Sequence, residues 1–297
     1  MITITEVGPR DGLQNEKAQI PTTAKIAFVN ALSESGVQEI EVSSFVSPKW
    51  VPQLADALEV FQRIQRQSGV IYSALVPNEK GLEHALEAHV NKISIFTAAS
   101  ETFNQKNINA SISESIERFR PVIAIAKAEK LPIRGYVSTA FYCPYEGKIP
   151  STQVVAVVQK LLDLGVDEVS LGDTIGKAAP GDIRELLDNV MPILSKDQVV
   201  LHLHDTYGLA IANAMTAWSE YRITRFDSSA GGLGGCPYAP GAFGNVATED
   251  LVYALRASGA EISVDIAKIV GAAKEIEPQL NRTLASRLSR VLSQSPS

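Results

Sequence analysis

His202 and His204 stand one residue apart in the run His202-Leu203-His204-Asp205, at the end of an apolar, β-like stretch. Residues two apart on a strand project to the same side, so both imidazoles face one way. Imidazoles paired like this serve either as metal ligands or as hydrogen-bonded core residues. The other two histidines, His84 and His89, fall on a helical segment and its following turn, where surface positions are expected. A second set lies near the amino end, in Glu6-Val7-Gly8-Pro9-Arg10-Asp11-Gly12, where Pro9 and Gly12 bracket an adjacent Arg–Asp pair in a tight turn. Taken alone the pair is a salt bridge; next to the imidazoles, Asp11 is a third metal donor. A third set is the glycine-dense stretch 231–245, which carries Cys236 and ends on Asn245, a source of an amide oxygen. A loop of this length is more often a lid or binding loop than a passive connector, and its closure would bring Cys236 into the site. Two imidazoles, a carboxylate and an amide oxygen suit Mg2+, Mn2+ or a related ion better than a thiolate zinc site does. The same two-His, one-carboxylate set also serves non-haem iron oxygenases.

These residues need elements that bring them together. β-like runs are read at Ile2–Val7, Glu39–Phe45, Val70–Val76, Lys92–Ala98, Ile133–Thr139, Glu168–Leu171, Val199–His204 and Arg225–Ser229. Each is followed by helical periodicity. Examples are Thr22–Ser35, Leu54–Arg66, Glu79–Ala88, the four-three-four stepping of Ile112, Ile116, Phe119 and Ile123, and Thr248–Ala257. Eight strand–helix units predict a parallel sheet closed as a (β/α)8 TIM barrel. A doubly wound open sheet is the rival, but the first turn, Gly8-Pro9-Arg10-Asp11-Gly12, is not its GxGxxG fingerprint. The whole of 1–297 is read as a single catalytic barrel domain. Residues from about 263 to 297 form additional C-terminal helices, expected to close over the barrel or to serve a contact in a homo-oligomer. In a barrel, function gathers at the carboxyl ends of the strands, which is where all three sets fall. Strands one, seven and eight are close around such a barrel, so Asp11 can meet the two histidines.

Bulk properties exclude other classes. The net charge of −6 comes without a Lys/Arg cluster, so no nucleic-acid partner is expected. No apolar run approaches a membrane span, so no membrane association is expected either. Chemistry-bearing residues begin by Arg10, so no signal or transit peptide is expected ahead of them. Two cysteines, Cys143 and Cys236, make neither a disulfide framework nor a CxxC site, and a cytoplasmic location is expected.

Several motifs, met in order, resemble the 3-hydroxy-3-methylglutaryl-CoA lyase family: Gly8-Pro9-Arg10-Asp11-Gly12-Leu13-Gln14-Asn15-Glu16, Ser44-Phe45-Val46-Ser47-Pro48-Lys49-Trp50-Val51-Pro52-Gln53, Lys106-Asn107-Ile108-Asn109, Cys143-Pro144-Tyr145-Glu146-Gly147, Leu171-Gly172-Asp173-Thr174-Ile175-Gly176, His202-Leu203-His204-Asp205-Thr206-Tyr207-Gly208 and Gly232-Leu233-Gly234-Gly235-Cys236-Pro237-Tyr238. The wider group of Arg-Asp/HxH barrels includes isopropylmalate and homocitrate synthases, some aldolases and transcarboxylase domains. The cysteine-bearing glycine loop points to the lyase branch. The resemblance implies cleavage of 3-hydroxy-3-methylglutaryl-CoA to acetyl-CoA and acetoacetate, a step of leucine degradation and ketone-body formation. It implies an acyl-CoA substrate and a divalent cation, Mg2+ or Mn2+, held by Asp11, His202, His204 and Asn245. It also implies catalytic roles for Arg10, Asp11, Glu41, Asp173, His202 and Cys236, with Arg10, Gln14 and Thr174 binding substrate. Phe243 and the pair Phe141-Tyr142 stand where smaller residues are common in the family, and bulk near a pocket changes which acyl group fits. The alternatives are a lyase for a bulkier 3-acyl group, a synthase running the reverse condensation, and a non-enzymatic metal- or CoA-binding protein.

Overall fold

The computed structural model describes residues 1–235 and 244–294. Eight parallel strands close into a barrel: β1 (Thr3–Glu6), β2 (Glu39–Ser44), β3 (Ile71–Leu75), β4 (Lys92–Ala98), β5 (Ile133–Ser138), β6 (Glu168–Asp173), β7 (Val199–Leu203) and β8 (Arg225–Ser228). Each strand pairs with its sequence neighbours, and β1 closes the ring on β8. The TIM barrel expected from the sequence is therefore the fold.

Strand alternation splits the side chains into two shells. Outward-facing Ile4, Ile40, Tyr72, Ile93, Val137, Leu171, Leu201 and Phe226 are almost wholly buried beneath the helices. Burial of each such side chain stabilises the fold by roughly 1.5–3 kcal/mol as an upper bound. The helices that cover them are α1 (Thr22–Ser33), α2 (Ala57–Arg63), α3 (Glu79–Glu87), α4 (Glu101–Ile108), α5 (Ile112–Ala128), α6 (Ser151–Leu164), α7 (Pro180–Val190), α8 (Ala210–Tyr221) and α9 (Thr248–Ala257). Capping sets their starts. Ser111 and Glu114 form a reciprocal capping box on α5, and Asn78 accepts from Gly81 N at the start of α3.

Inward-facing positions are largely polar. Glu39, Ser73, Lys92, Arg134, Glu168 and Asp227 form a buried network in the barrel interior. Arg134 Nη1 donates to Asp227 at 2.9 Å, Lys92 Nζ to Glu39 at 2.8 Å, and both cations also pair with Glu168. Arg225 reaches Glu168 as well.

Some boundaries differ from the sequence reading. Helix α2 begins at Ala57 rather than Leu54, because Pro52–Leu54 form a separate 3-10 turn. Helix α1 ends at Ser33, two residues early, ahead of Gly36 in the left-handed region. The strand assigned to Glu168–Leu171 runs on to Asp173. Helix α4 was not expected from the sequence at all. Beyond the ring, α10 (Ile266–Ile276) packs against α1 and α9, and α11 (Arg287–Gln294) is tied to α9. Asp250 accepts hydrogen bonds from Ser286 Oγ, Arg287 N and Leu288 N. The amides of Ala285 and Ser286 donate to Gly231 O, so this C-terminal segment braces the base of the glycine-rich loop.

Candidate active site

At the carboxyl end of β1 the chain makes a wide helical turn, Gly8–Gly12, in which Arg10 N and Gly12 N both donate to Val7 O. Gly12 is required there, because a Cβ would lie 2.9 Å from Leu233 Cβ. The turn presents Arg10 and Asp11 over the barrel mouth. His202 and His204 come from the end of β7 as expected, with their Nε2 atoms 3.2 Å apart. Asp11 Oδ2 lies 3.8 Å from His202 Nε2 and 3.9 Å from His204 Nε2. Asn245 arrives because the chain after the glycine loop returns beside β7. Asp205 N donates to Gly244 O and Val246 N donates to Leu203 O, which sets Asn245 opposite His204.

The Asn245 amide nitrogen donates to Asp11 Oδ2 at 2.9 Å and to Leu233 O at 3.1 Å. Its oxygen is buried without a hydrogen-bond partner among the described residues. An orphaned buried acceptor beside a carboxylate and two imidazole nitrogens fits a divalent cation. The spacing agrees. Ligand atoms at about 2.1 Å from one hexacoordinate ion stand roughly 3 to 4.2 Å from one another, and the observed separations fall in that range. Asp11, His202 and His204 also form the only such group of metal-ligating side chains among the described residues.

Charge in the site is one coupled arrangement. Arg10 Nε donates to Glu41 at 2.5 Å and Nη1 to Asp11 at 2.6 Å, while its guanidinium lies 5.3 Å from the Tyr136 ring centre. Burial works against the cation, but Glu41 and Asp11 outweigh it and hold Arg10 firmly protonated. Burial likewise opposes the Asp11 charge, yet Arg10 and the two imidazoles pull its carboxyl well below the usual range. The histidines diverge. Burial and the neighbouring His202 lower His204 to about 4. His202 is also pulled down by burial, but Asp227 and Asp11 move it upward on balance.

The other expected residues separate. Glu41 joins the cluster, accepting from Arg10, Ser94 and Tyr136. Gln14 is half-buried just past the Arg–Asp turn. Asp173 is buried at the end of β6, where its carboxylate accepts the amides of Lys177 and Ala178, and burial raises it to about 7. It therefore shapes the loop that carries Thr174, whose hydroxyl accepts from Thr139 N at 2.7 Å. Gly176 in this loop has a φ of +67°, and a Cβ there would sit 2.8 Å from His204 O. Only glycine lets the loop lie this close to the end of β7. Cys236 and Phe243 lie outside the described residues. Phe141 is buried and Tyr142 half-buried, the latter directed at Asp182. His84 and His89 are exposed on α3 and the turn after it. Tyr136, Arg134 and Asp227 were missed by the sequence reading. The signal available for them was polar residues at alternate positions on β5 and β8.

Fold and site together define a (β/α)8 barrel with a group of side chains that could hold a metal ion at the carboxyl ends of its strands. The family model described as HMGL-like matches residues 1–276, and the chain belongs to that family. It is 49% identical over 294 residues to hydroxymethylglutaryl-CoA lyase YngG of Bacillus subtilis, covering 99% of this chain and 98% of that one. The crystal structure of a Bacillus subtilis HMG-CoA lyase superposes with a TM-score of 0.96 at 48% identity, covering 99% of this chain and 98% of that chain. An HMG-CoA lyase from Acinetobacter baumannii, solved in complex with coenzyme A and 3-methylmalate, gives a TM-score of 0.93 at 37% identity, covering 100% of this chain and 98% of that chain.

Proposed function

We propose that this site cleaves 3-hydroxy-3-methylglutaryl-CoA into acetyl-CoA and acetoacetate, with Mg2+ or Mn2+ held by Asp11, His202, His204 and Asn245. The observation that carries this reading is the buried Asn245 oxygen, partnerless among the described residues, in the cluster with Asp11 and two imidazoles, with Arg10 clamped next to them. The 49% identity to a hydroxymethylglutaryl-CoA lyase across nearly the whole chain supports the substrate.

A bound divalent cation supplies a positive centre that makes the tertiary hydroxyl of the substrate easier to deprotonate. A base takes that proton, the oxygen's electron pair forms the ketone of acetoacetate, and the C2–C3 bond breaks. Its electrons pass into the thioester to give the acetyl-CoA enolate, which an acid then protonates at C2. Arg10 is the group proposed to meet the thioester oxygen. Glu41 and Asp11 fix the plane of its guanidinium before substrate arrives, which is the preorganisation that stabilises a developing oxyanion. Glu41 keeps Arg10 in place, and Gln14 and Thr174 are proposed to line the substrate. Cys236, on the loop braced at Gly231, is the proposed proton carrier of the closed site.

Coenzyme A bound in the Acinetobacter baumannii relative supports an acyl-CoA substrate here. None of the described helices is long and apolar enough to cross a membrane. The low cysteine content supports a reducing cytoplasm as the location. The test is acetoacetate release from 3-hydroxy-3-methylglutaryl-CoA with Mg2+ or Mn2+, run beside a longer-chain 3-acyl analogue. Faster release from the analogue would reassign the acyl group. No turnover of either would leave only a metal- or CoA-binding protein.

A further inference from the structure

His202 meets a carboxylate from inside the barrel. Its Nδ1 lies 3.2 Å from Asp227 Oδ2, and Asp227 is buried on β8, the strand beside β7. The same Oδ2 accepts from Ser170 Oγ at 2.8 Å, and Oδ1 accepts from Arg134 Nη1 at 2.9 Å. Arg134 is in turn fixed by Glu168, by Thr5 at 2.9 Å and by Glu39 at 3.3 Å. Three donors thus converge on Asp227, all from buried side chains.

We propose that Asp227, locked by Arg134 and Ser170, is the positioning residue that keeps the His202 proton on Nδ1 and so leaves Nε2 free to bind the metal. This rests on the metal-site reading above. An imidazole has one proton and two nitrogens, and only the unprotonated nitrogen can be a ligand. A carboxylate can only accept, so the nitrogen facing it must donate. Carboxylates behind metal-bound histidines act in this way, and removing them weakens metal binding about 10- to 100-fold.

The network predicts which way an amide would turn. In Asp227→Asn, Arg134 has no acceptor capacity and demands the amide oxygen. The amide NH2 then faces Ser170 and His202 Nδ1. That NH2 donates to Nδ1 and drives the His202 proton onto Nε2, the nitrogen the metal needs. The variant is nearly isosteric, so shape is kept while the tautomer is reversed.

The experiment strips metal from wild type and Asp227→Asn and titrates each with Mn2+, following the free ion by electron paramagnetic resonance. Thermal melting is measured in parallel, and the His202 ring is followed by 15N NMR in the metal-free proteins at a pH where it is neutral. The His202 signal is assigned by its loss in His202→Gln. We expect Mn2+ affinity at least tenfold weaker in Asp227→Asn, with the ring proton on Nδ1 in wild type and on Nε2 in the variant. A purely structural role would lower the melting temperature and leave the affinity within about twofold of wild type, which overturns the proposal. A wild-type ring protonated on Nε2 overturns it too, and that measurement decides even if Asp227→Asn does not fold. Wild type that takes up no Mn2+ overturns the metal reading itself, an outcome distinct from tight and equal binding by both proteins.

Discussion

Replacing Arg10 with lysine tests the centre of the proposed chemistry. Arg10 makes two charge-assisted hydrogen bonds, 2.5 Å to Glu41 and 2.6 Å to Asp11, with its side chain only 8% exposed. A lysine keeps the charge but replaces the planar fork with a single ammonium on a shorter reach. It cannot hold both carboxylates in the same geometry and still aim a donor at the thioester oxygen. Loss of one oxyanion donor costs about 2.7–4 kcal/mol, or a factor of roughly 100 to 1000 in kcat. Charge on that oxygen develops mainly in the transition state, so KM should change far less than kcat. One hydrogen bond to a charged group is also lost from the resting enzyme, worth about 1.5–3 kcal/mol, so melting should fall by several degrees while the protein stays folded at assay temperature. The assay is steady-state release of acetoacetate from 3-hydroxy-3-methylglutaryl-CoA at saturating Mn2+, because Asp11 is shared between Arg10 and the cation site. A kcat near wild type with KM raised would refute the assignment, since Arg10 would then be acting in uniform binding.

His204→Ala removes one nitrogen donor, and Mn2+ affinity should fall at least tenfold by titration; unchanged affinity would strike His204 from the ligand set. Cys236→Ser keeps size and polarity but raises the pKa by several units, so kcat should collapse while Mn2+ affinity holds. Full turnover after complete alkylation of Cys236, located by peptide mapping to exclude Cys143, would reduce it to a loop residue. Burial pushes Glu6 up to about 7, so the fold favours its protonated form. The stability it contributes is whole below about 4.5 and is lost as pH rises through about 7, roughly 3 kcal/mol in all. Glu6→Gln cannot ionise, so it should melt progressively higher relative to wild type between pH 5 and pH 8. Parallel melting curves across that range would contradict the buried titration.

What the chain disclosed in advance follows from which signals are periodic. The barrel was legible because the outward strand faces are largely apolar and most helices carry an apolar stripe, as in Ile112, Ile116, Phe119 and Ile123 on α5. His202, His204 and Asp11 were legible because HxH and Arg-Asp are short local patterns placed at strand ends. Helix α4 was invisible because, of its residues, only Phe103 and Asn104 are buried, which leaves no stripe to read. Asn245 could be named as a donor, but its approach to His204 depends on how the chain returns from the glycine loop, which no local pattern encodes. Apart from Glu41, which the family resemblance named, and the two histidines, the polar barrel interior was missed for a different reason. Its residues do alternate, as in Glu39 and Glu41, Lys92 and Ser94, Arg134 and Tyr136, or Glu168 and Ser170, but they alternate as polar residues. Polar residues at every second strand position usually mark a solvated face. A closed barrel makes that same pattern an interior.

That interior explains why so many charges are buried where apolar side chains would serve stability as well. Lys92, Arg134 and Arg225 face Glu39, Glu168 and Asp227. Replacing buried ion pairs with well-packed apolar residues is often neutral or stabilising, so stability alone does not account for them. Direction does. A hydrogen-bonded charge fixes the orientation of its partner, whereas an apolar contact fixes only its volume. The Coulombic pull of Arg134 holds Glu168 at about 2 and Asp227 at about 2, despite burial that opposes both charges. Both therefore remain acceptors across the physiological range. The layer above continues the pattern, since Tyr136 lies between the guanidinium groups of Arg134 and Arg10 and donates to Glu41 at 3.2 Å. Orientation is thus handed upward, from the ion network to Asp227 and His202 on one side, and to Tyr136, Glu41 and Arg10 on the other. The two routes meet at Asp11, which touches Arg10 through one oxygen and lies within 4 Å of both imidazoles through the other.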